Sequence, residues 1–162
     1  MSISELHLHS GPAALLTEAV ALVREAAGAM YAARSDDDLV ATVELVEQAR
    51  SALAAVQAGA VAEADARDLA KTRLHYGSTG DWITHLGGLR KGEGKRILNR
   101  AHALTGTLGL TREGLAAGTV SPEQAEVIIT AVAQLPSGEA VRARGEATLL
   151  GVSDGLCKEF QE

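Results

Sequence analysis

Residues 78–136 read STGDWITHLGGLRKGEGKRILNRAHALTGTLGLTREGLAAGTVSPEQAEVIITAVAQLP, and the order of breaks in this stretch decides the fold. Ser78 or Thr79 caps a first helix with Asp81 in its first turn, and Trp82, Ile83 and Leu86 fall on one face. Gly87-Gly88-Leu89-Arg90 breaks that helix, and a second begins near Lys91 or Gly92 with Ile97, Leu98, Ala101 and Leu104 as its buried stripe. Thr111 opens a short helix through Leu115, and Gly118 stands where a C-terminal cap favours glycine. Ser121-Pro122-Glu123-Gln124 then gives a capping serine, a proline at the first helical position and a glutamine that completes a capping box. Val127, Ile128, Ala131 and Leu135 turn inward until Pro136, and a last helix is expected from Gly138 to about Leu150.

Upstream of this stretch the pattern lengthens. From Pro12, Leu16, Val20, Val23, Ala27 and Met30 recur at steps of four and three, the stripe of an amphipathic helix. Arg34-Ser35-Asp36-Asp37-Asp38 breaks and restarts the chain, with Ser35 or Asp36 as cap and three acids where the helix dipole favours negative charge. Leu39, Val46, Leu53 and Ala60 come next at sevens, with Val43, Ala49 and Val56 between them, in a helix expected to reach about Lys71. The expected fold is all-α: a flexible leader over 1–10, then one helical domain over 11–151. Residues 11–73 of it form a long antiparallel helical hairpin, and residues 78–151 a compact cluster of shorter helices that includes a helix-turn-helix-like pair.

Composition supports helices. Trp82, Tyr31, Tyr76 and Phe160 are the only aromatics, so alanine, leucine and valine fill the interior, which suits close-packed helices better than a β-sandwich. The single Cys157 excludes an intrachain disulfide and a cysteine-based zinc site. No apolar run approaches the roughly 20 residues needed to span a bilayer, and the N-terminus has no secretory pattern, so no membrane partner and a cytoplasmic location are expected.

The net charge of −6 is unevenly distributed: residues 1–66 hold ten acids and three bases, residues 67–162 eleven acids and twelve bases. Arg90, Lys91, Lys95, Arg96 and Arg100 cluster on the second helix of the glycine-broken pair, against Glu93 alone. Helix, tight turn, basic helix is the order that reads DNA in helix-turn-helix proteins, which makes these five residues candidates for contacting duplex DNA. Gly92 and Gly94 loosen the entrance of that helix and allow close backbone approach to a phosphate. The competing account is a solvated face partly neutralised by acids. The heptad-like stripe offers a different surface, with Leu39, Val46, Leu53 and Val56 as candidate residues of a homo-oligomer interface, because a long helix carries more stripe than one short partner buries. Gly59 in that helix marks a bend or a close crossing.

No catalytic residue, cofactor or metal site is assigned. His7 and His9 could form a weak adventitious metal site if the leader is extended, and His85 and His102 could approach each other across the helix pair without completing a ligand set. Asp36, Asp37 and Asp38 point in different directions on a helix start, so capping explains them better than metal binding. Gly92-Glu93-Gly94-Lys95-Arg96 lacks the preceding strand and following hydroxyl of a phosphate loop.

Trp82-Ile83 after the hydroxyl cap, the Ala101–Leu104 helix end, and the Ala117-Gly118-Thr119-Val120-Ser121-Pro122-Glu123-Gln124-Ala125 run ending near Leu135-Pro136 together resemble a known family. It is the domain of unknown function 222, the helical N-terminal part of many actinobacterial proteins that end in an HNH endonuclease. The resemblance covers about residues 12–150 and implies an all-helical, non-catalytic module, since the His-Asn-His nuclease motif of longer relatives has no counterpart here; residues 152–162 form a divergent tail. The resemblance also implies a DNA-targeting or substrate-positioning role. The stripe and the acidic N-terminal half point instead to a helical oligomerisation or partner-binding domain.

Overall fold

The structure, a computed structural model, describes residues 11–159, with side chains over 11–151; the leader and its two histidines lie outside the described residues. The described residues form α-helices and one short 3-10 turn, with no strand. In chain order these are α1 (Pro12–Ala27), a 3-10 turn (Tyr31–Ala33), α2 (Asp36–Ala66), α3 (Leu69–Thr72), α4 (Thr79–Leu86), α5 (Glu93–Gly106), α6 (Gly109–Ala117), α7 (Pro122–Ala133) and α8 (Glu139–Glu159). The all-α expectation is met.

By backbone contacts the chain forms two units, Met1–Thr42 and Val43–Glu162. In the first, Pro12 starts α1 at a position where its missing N–H costs nothing, and no described residue of 11–42 is buried. Ser35 caps α2, its Oγ accepting the Asp38 N–H at 3.2 Å, and Asp36, Asp37 and Asp38 fill the first turn. The cap is thus Ser35, and the three acids occupy the positive end of the helix dipole, where Asp38 also faces Arg34 at 3.8 Å.

The second unit holds the core. The inner face of α2 supplies Ser51, Ala58, Val61 and Ala64, which are buried, while Ala54, Ala55 and Ala62 pack at its edge. Against it lie Ile83 of α4, Ala101 and Leu104 of α5, Leu108, Leu115 of α6, Val120, and Ala125, Ile128 and Val132 of α7. Alanine on one side and leucine or isoleucine on the other let helices approach closely while filling the space between them.

Helices α4 and α5 meet backbone to backbone. A Cβ on Gly94 would stand 2.0 Å from the Gly80 carbonyl oxygen and 2.8 Å from the Thr84 nitrogen, so no larger residue fits there. The turn between the two helices uses Gly88 and Gly92 at φ +58° and +92°, conformations that glycine adopts without steric penalty. Gly118 ends α6 at φ +75°, and both bonds of the Ser121/Gln124 capping box open α7, as the sequence indicates.

Several boundaries and faces differ from expectation. α2 ends at Ala66 rather than Lys71, because Asp68 adopts φ +50° and leaves α3 as a single separate turn. α6 begins at Gly109, not Thr111, and α8 runs to Glu159, beyond Leu150 and into the residues read as a divergent tail. Leu86 is 73% exposed because the two-turn α4 buries Thr79, Gly80 and Ile83 toward its start and leaves its last turn outside; Trp82 is half-buried. Val127 is also exposed, since α7 buries the Ala125, Ile128, Val132 row instead, and Val141 in the first turn of α8 is exposed as well.

One buried polar contact joins the last helix to the cluster. Glu146 of α8 is 3% exposed, and its Oε1 accepts the Thr111 backbone N–H at 2.7 Å and the Thr111 hydroxyl at 2.8 Å. A carboxylate thirty-five residues away therefore satisfies a first-turn donor of α6.

Candidate functional site

The five basic candidates divide into two groups. Arg96 bonds to Glu93 one turn earlier at 2.9 Å, and Arg100, 28% exposed, lies 3.6 Å from Glu126 of α7. With Ile97, Pro122 and Glu123 these four residues line a shallow cleft between α5 and α7 in which each guanidinium faces an acid. Nearby, Arg50 of α2 bridges Glu47 at 2.6 Å and Glu123 at 2.8 Å. The hydrogen bond to Glu123 raises the Arg50 pKa above its ordinary value, with the Glu47 charge adding to it. Glu123 is held below the usual glutamate range by its own backbone N–H at the start of α7 and then by Arg50. Arg96 and Arg100 are thus compensated.

Arg90, Lys91 and Lys95 remain exposed and make no ion pair among the described residues. They belong to the turn and the first turn of α5. The close approach that Gly94 permits is used within the protein, against Gly80 and Thr84, so it is not available to a phosphate. The histidines are engaged separately: His85 Nδ1 lies 2.7 Å from the Tyr76 hydroxyl, and His102 Nε2 lies 3.0 Å from Asp65 on α2. Among the described residues no three His, Cys, Asp or Glu side chains converge as a metal site, and no helix is long and apolar enough to cross a membrane.

Val46 and Leu53 lie on the outer side of α2, and Val56 lies at its margin, lining a cleft with Arg112, Glu113 and Ala116 of α6. Val46 and Leu53 are each 51% exposed and Val56 is 42% exposed, while Leu39 is half-buried. Ala49 and Ala60 are exposed as well, so Val46, Ala49, Leu53, Val56 and Ala60 make an unbroken row at steps of three and four. In heptad terms these are a and d positions, and Ser51 and Ala58, buried in the core, are the f positions opposite them. The face that α2 turns to the core of the second unit is therefore not the face that carries the heptad stripe. Sequence periodicity found the valines and leucine; the second, inner face is built mostly of alanine and serine, whose weak hydrophobicity left it unread.

Two flanking features accompany this row. Leu45 at 63% and Val43 at 65% widen the exposed apolar surface on either side. Arg50, the one charged residue at the e and g positions between Leu45 and Gly59, is turned to Glu47 and Glu123.

A family model described as "Domain of unknown function (DUF222)" matches residues 40–154, from the first turns of α2 into α8. No curated protein and no solved structure matches the chain.

Proposed function

The chain belongs to the DUF222 family, and on that premise we propose that its helical body is a non-catalytic self-association module that docks through the outer stripe of α2. The observation that carries this reading is the two-faced character of α2: Ser51, Ala58 and Val61 are consumed by the chain's own core, while Val46, Leu53 and Val56 on the other side are half exposed. A regular a/d row on a helix has one efficient use, insertion into the holes of another such row. Burying the exposed parts of Val43, Leu45, Val46, Leu53 and Val56 is worth about 1 kcal/mol each, so about 10 kcal/mol for two copies. That is comparable with the association cost of ~4–15 kcal/mol, which implies a concentration-dependent complex in the range of about micromolar or weaker.

Sedimentation velocity over a hundredfold range of protein concentration tests this. Mass above 16.7 kDa should grow with concentration, and Val46→Asp or Leu53→Asp should return the protein to that value while leaving its helicity unchanged. A monomer throughout would falsify the reading.

Arg90, Lys91 and Lys95 favour a second reading, contact with a nucleic-acid backbone, because they are exposed and unpaired among the described residues. Three phosphate contacts would give a log–log salt slope of about −3. Duplex DNA should then be retarded at low ionic strength and released by a triple alanine replacement. No retardation at low salt retires this second role and leaves the first intact.

A further inference from the structure

Resting on the self-association reading, we infer that two copies of this chain pair their α2 helices antiparallel, with a two-fold axis at residue 51. In this register Val46 faces Val56 of the second copy, and Ala49 faces Leu53 of the second copy. Each of the four central layers, from Val46 to Val56, then joins two medium residues or one small and one large, so these layers have similar volume and interdigitate. A parallel pair would stack Ala49 on Ala49 and Ala60 on Ala60, leaving thin layers on the outer sides of the thicker Leu53 and Val56 layers. It would also face Glu63, the next d position, with its own copy, and like charges directly opposed are destabilising. In the antiparallel register the two Glu63 residues lie about 36 Å apart along the axis. Helix dipoles oppose each other in the antiparallel arrangement and reinforce unfavourably in the parallel one.

Gly59 supplies an independent sign. It sits inside α2, where glycine is disfavoured relative to alanine, and a Cβ built on it meets nothing within 4 Å. No contact within the chain therefore requires its small size. Gly59 is half-buried and lines an open cleft with His102, Thr105 and Arg112; in the antiparallel register Leu45 of the second copy flanks it at the mouth of that cleft, where its exposed side chain needs the space.

The test uses the full chain with Cys157→Ser, so that introduced thiols are the only ones. Val46→Cys and Val56→Cys proteins, one carrying a mass tag, are oxidised alone and mixed. Antiparallel pairing cross-links the mixture and neither protein alone, since like positions stand about 15 Å apart axially, beyond disulfide reach. Cross-linking of each protein with itself shows a parallel pair and overturns the register while the dimer stands. A dimer by sedimentation with no cross-link in any combination removes the α2 stripe as the interface and overturns both readings. Gly59→Ala gives a second measure: the melting temperature should rise while self-association weakens about tenfold, from overpacking against Leu45. A rise in melting temperature with unchanged association overturns the proposed register.

Discussion

A buried carboxylate persists only where donors replace the water it has lost, and Glu146 Oε1 meets that condition with the backbone N–H and hydroxyl of Thr111. Glu146→Ala would leave both donors unpaired and is expected to lower stability by about 1–3 kcal/mol, read from the midpoint of urea unfolding. Thr111→Val, which keeps the backbone donor, should cost less. At the surface, Glu123 behaves differently. Its folded pKa lies below the ordinary 4.5, so its link to Arg50 contributes fully above that value and is lost as pH falls through the lower, folded one. An NMR titration should therefore give a Glu123 midpoint under 4.5, and Arg50→Ala should move it upward. Neither residue was legible in the sequence for its role. Glu146 and Thr111 are joined across thirty-five positions, and no local pattern encodes such a pair.

Between elements, the crossing of α4 and α5 depends on Gly94 more than on any side chain. Gly94→Ala would drive a methyl into the Gly80 carbonyl and is expected to destabilise by about 3 kcal/mol or more, or to prevent folding; thermal melting checks this. What was legible at this scale was whatever local chemistry specifies: the serine caps of α2, α4 and α7, the capping box, and Gly118. The Gly94 signal was present but pointed elsewhere, because glycine at a helix entrance reads equally as looseness or as contact. The outer stripe of α2 was visible because valine and leucine at heptad spacing are unambiguous. Its inner face was not, since Ser51, Ala54 and Ala58 resemble solvent-facing residues until something packs on them. The basic cluster likewise reads as more available than it is: Glu93, the partner of Arg96, is visible within the cluster, whereas Glu126, the partner of Arg100, comes from α7 across the cleft between α5 and α7.

For the whole molecule, the family match at 40–154 coincides closely with the second compact unit, Val43–Glu162, so the residues common to the family are those that hold the core. Cutting the chain before Val43 is accordingly expected to preserve cooperative unfolding of the remainder, measured by circular dichroism against urea. If helicity collapses on removal of 1–42, the core in the second unit is not self-sufficient. The Glu146–Thr111 bond also bears on how the protein is made. Residues of α6 leave the ribosome well before α8, and at ~5–20 residues per second the acceptor for Thr111 is synthesised about 2–7 s after its donor. During that interval the first turn of α6 has no partner from the nascent polypeptide, so this corner of the molecule closes late in translation, and a ribosome stalled before codon 146 carries it open.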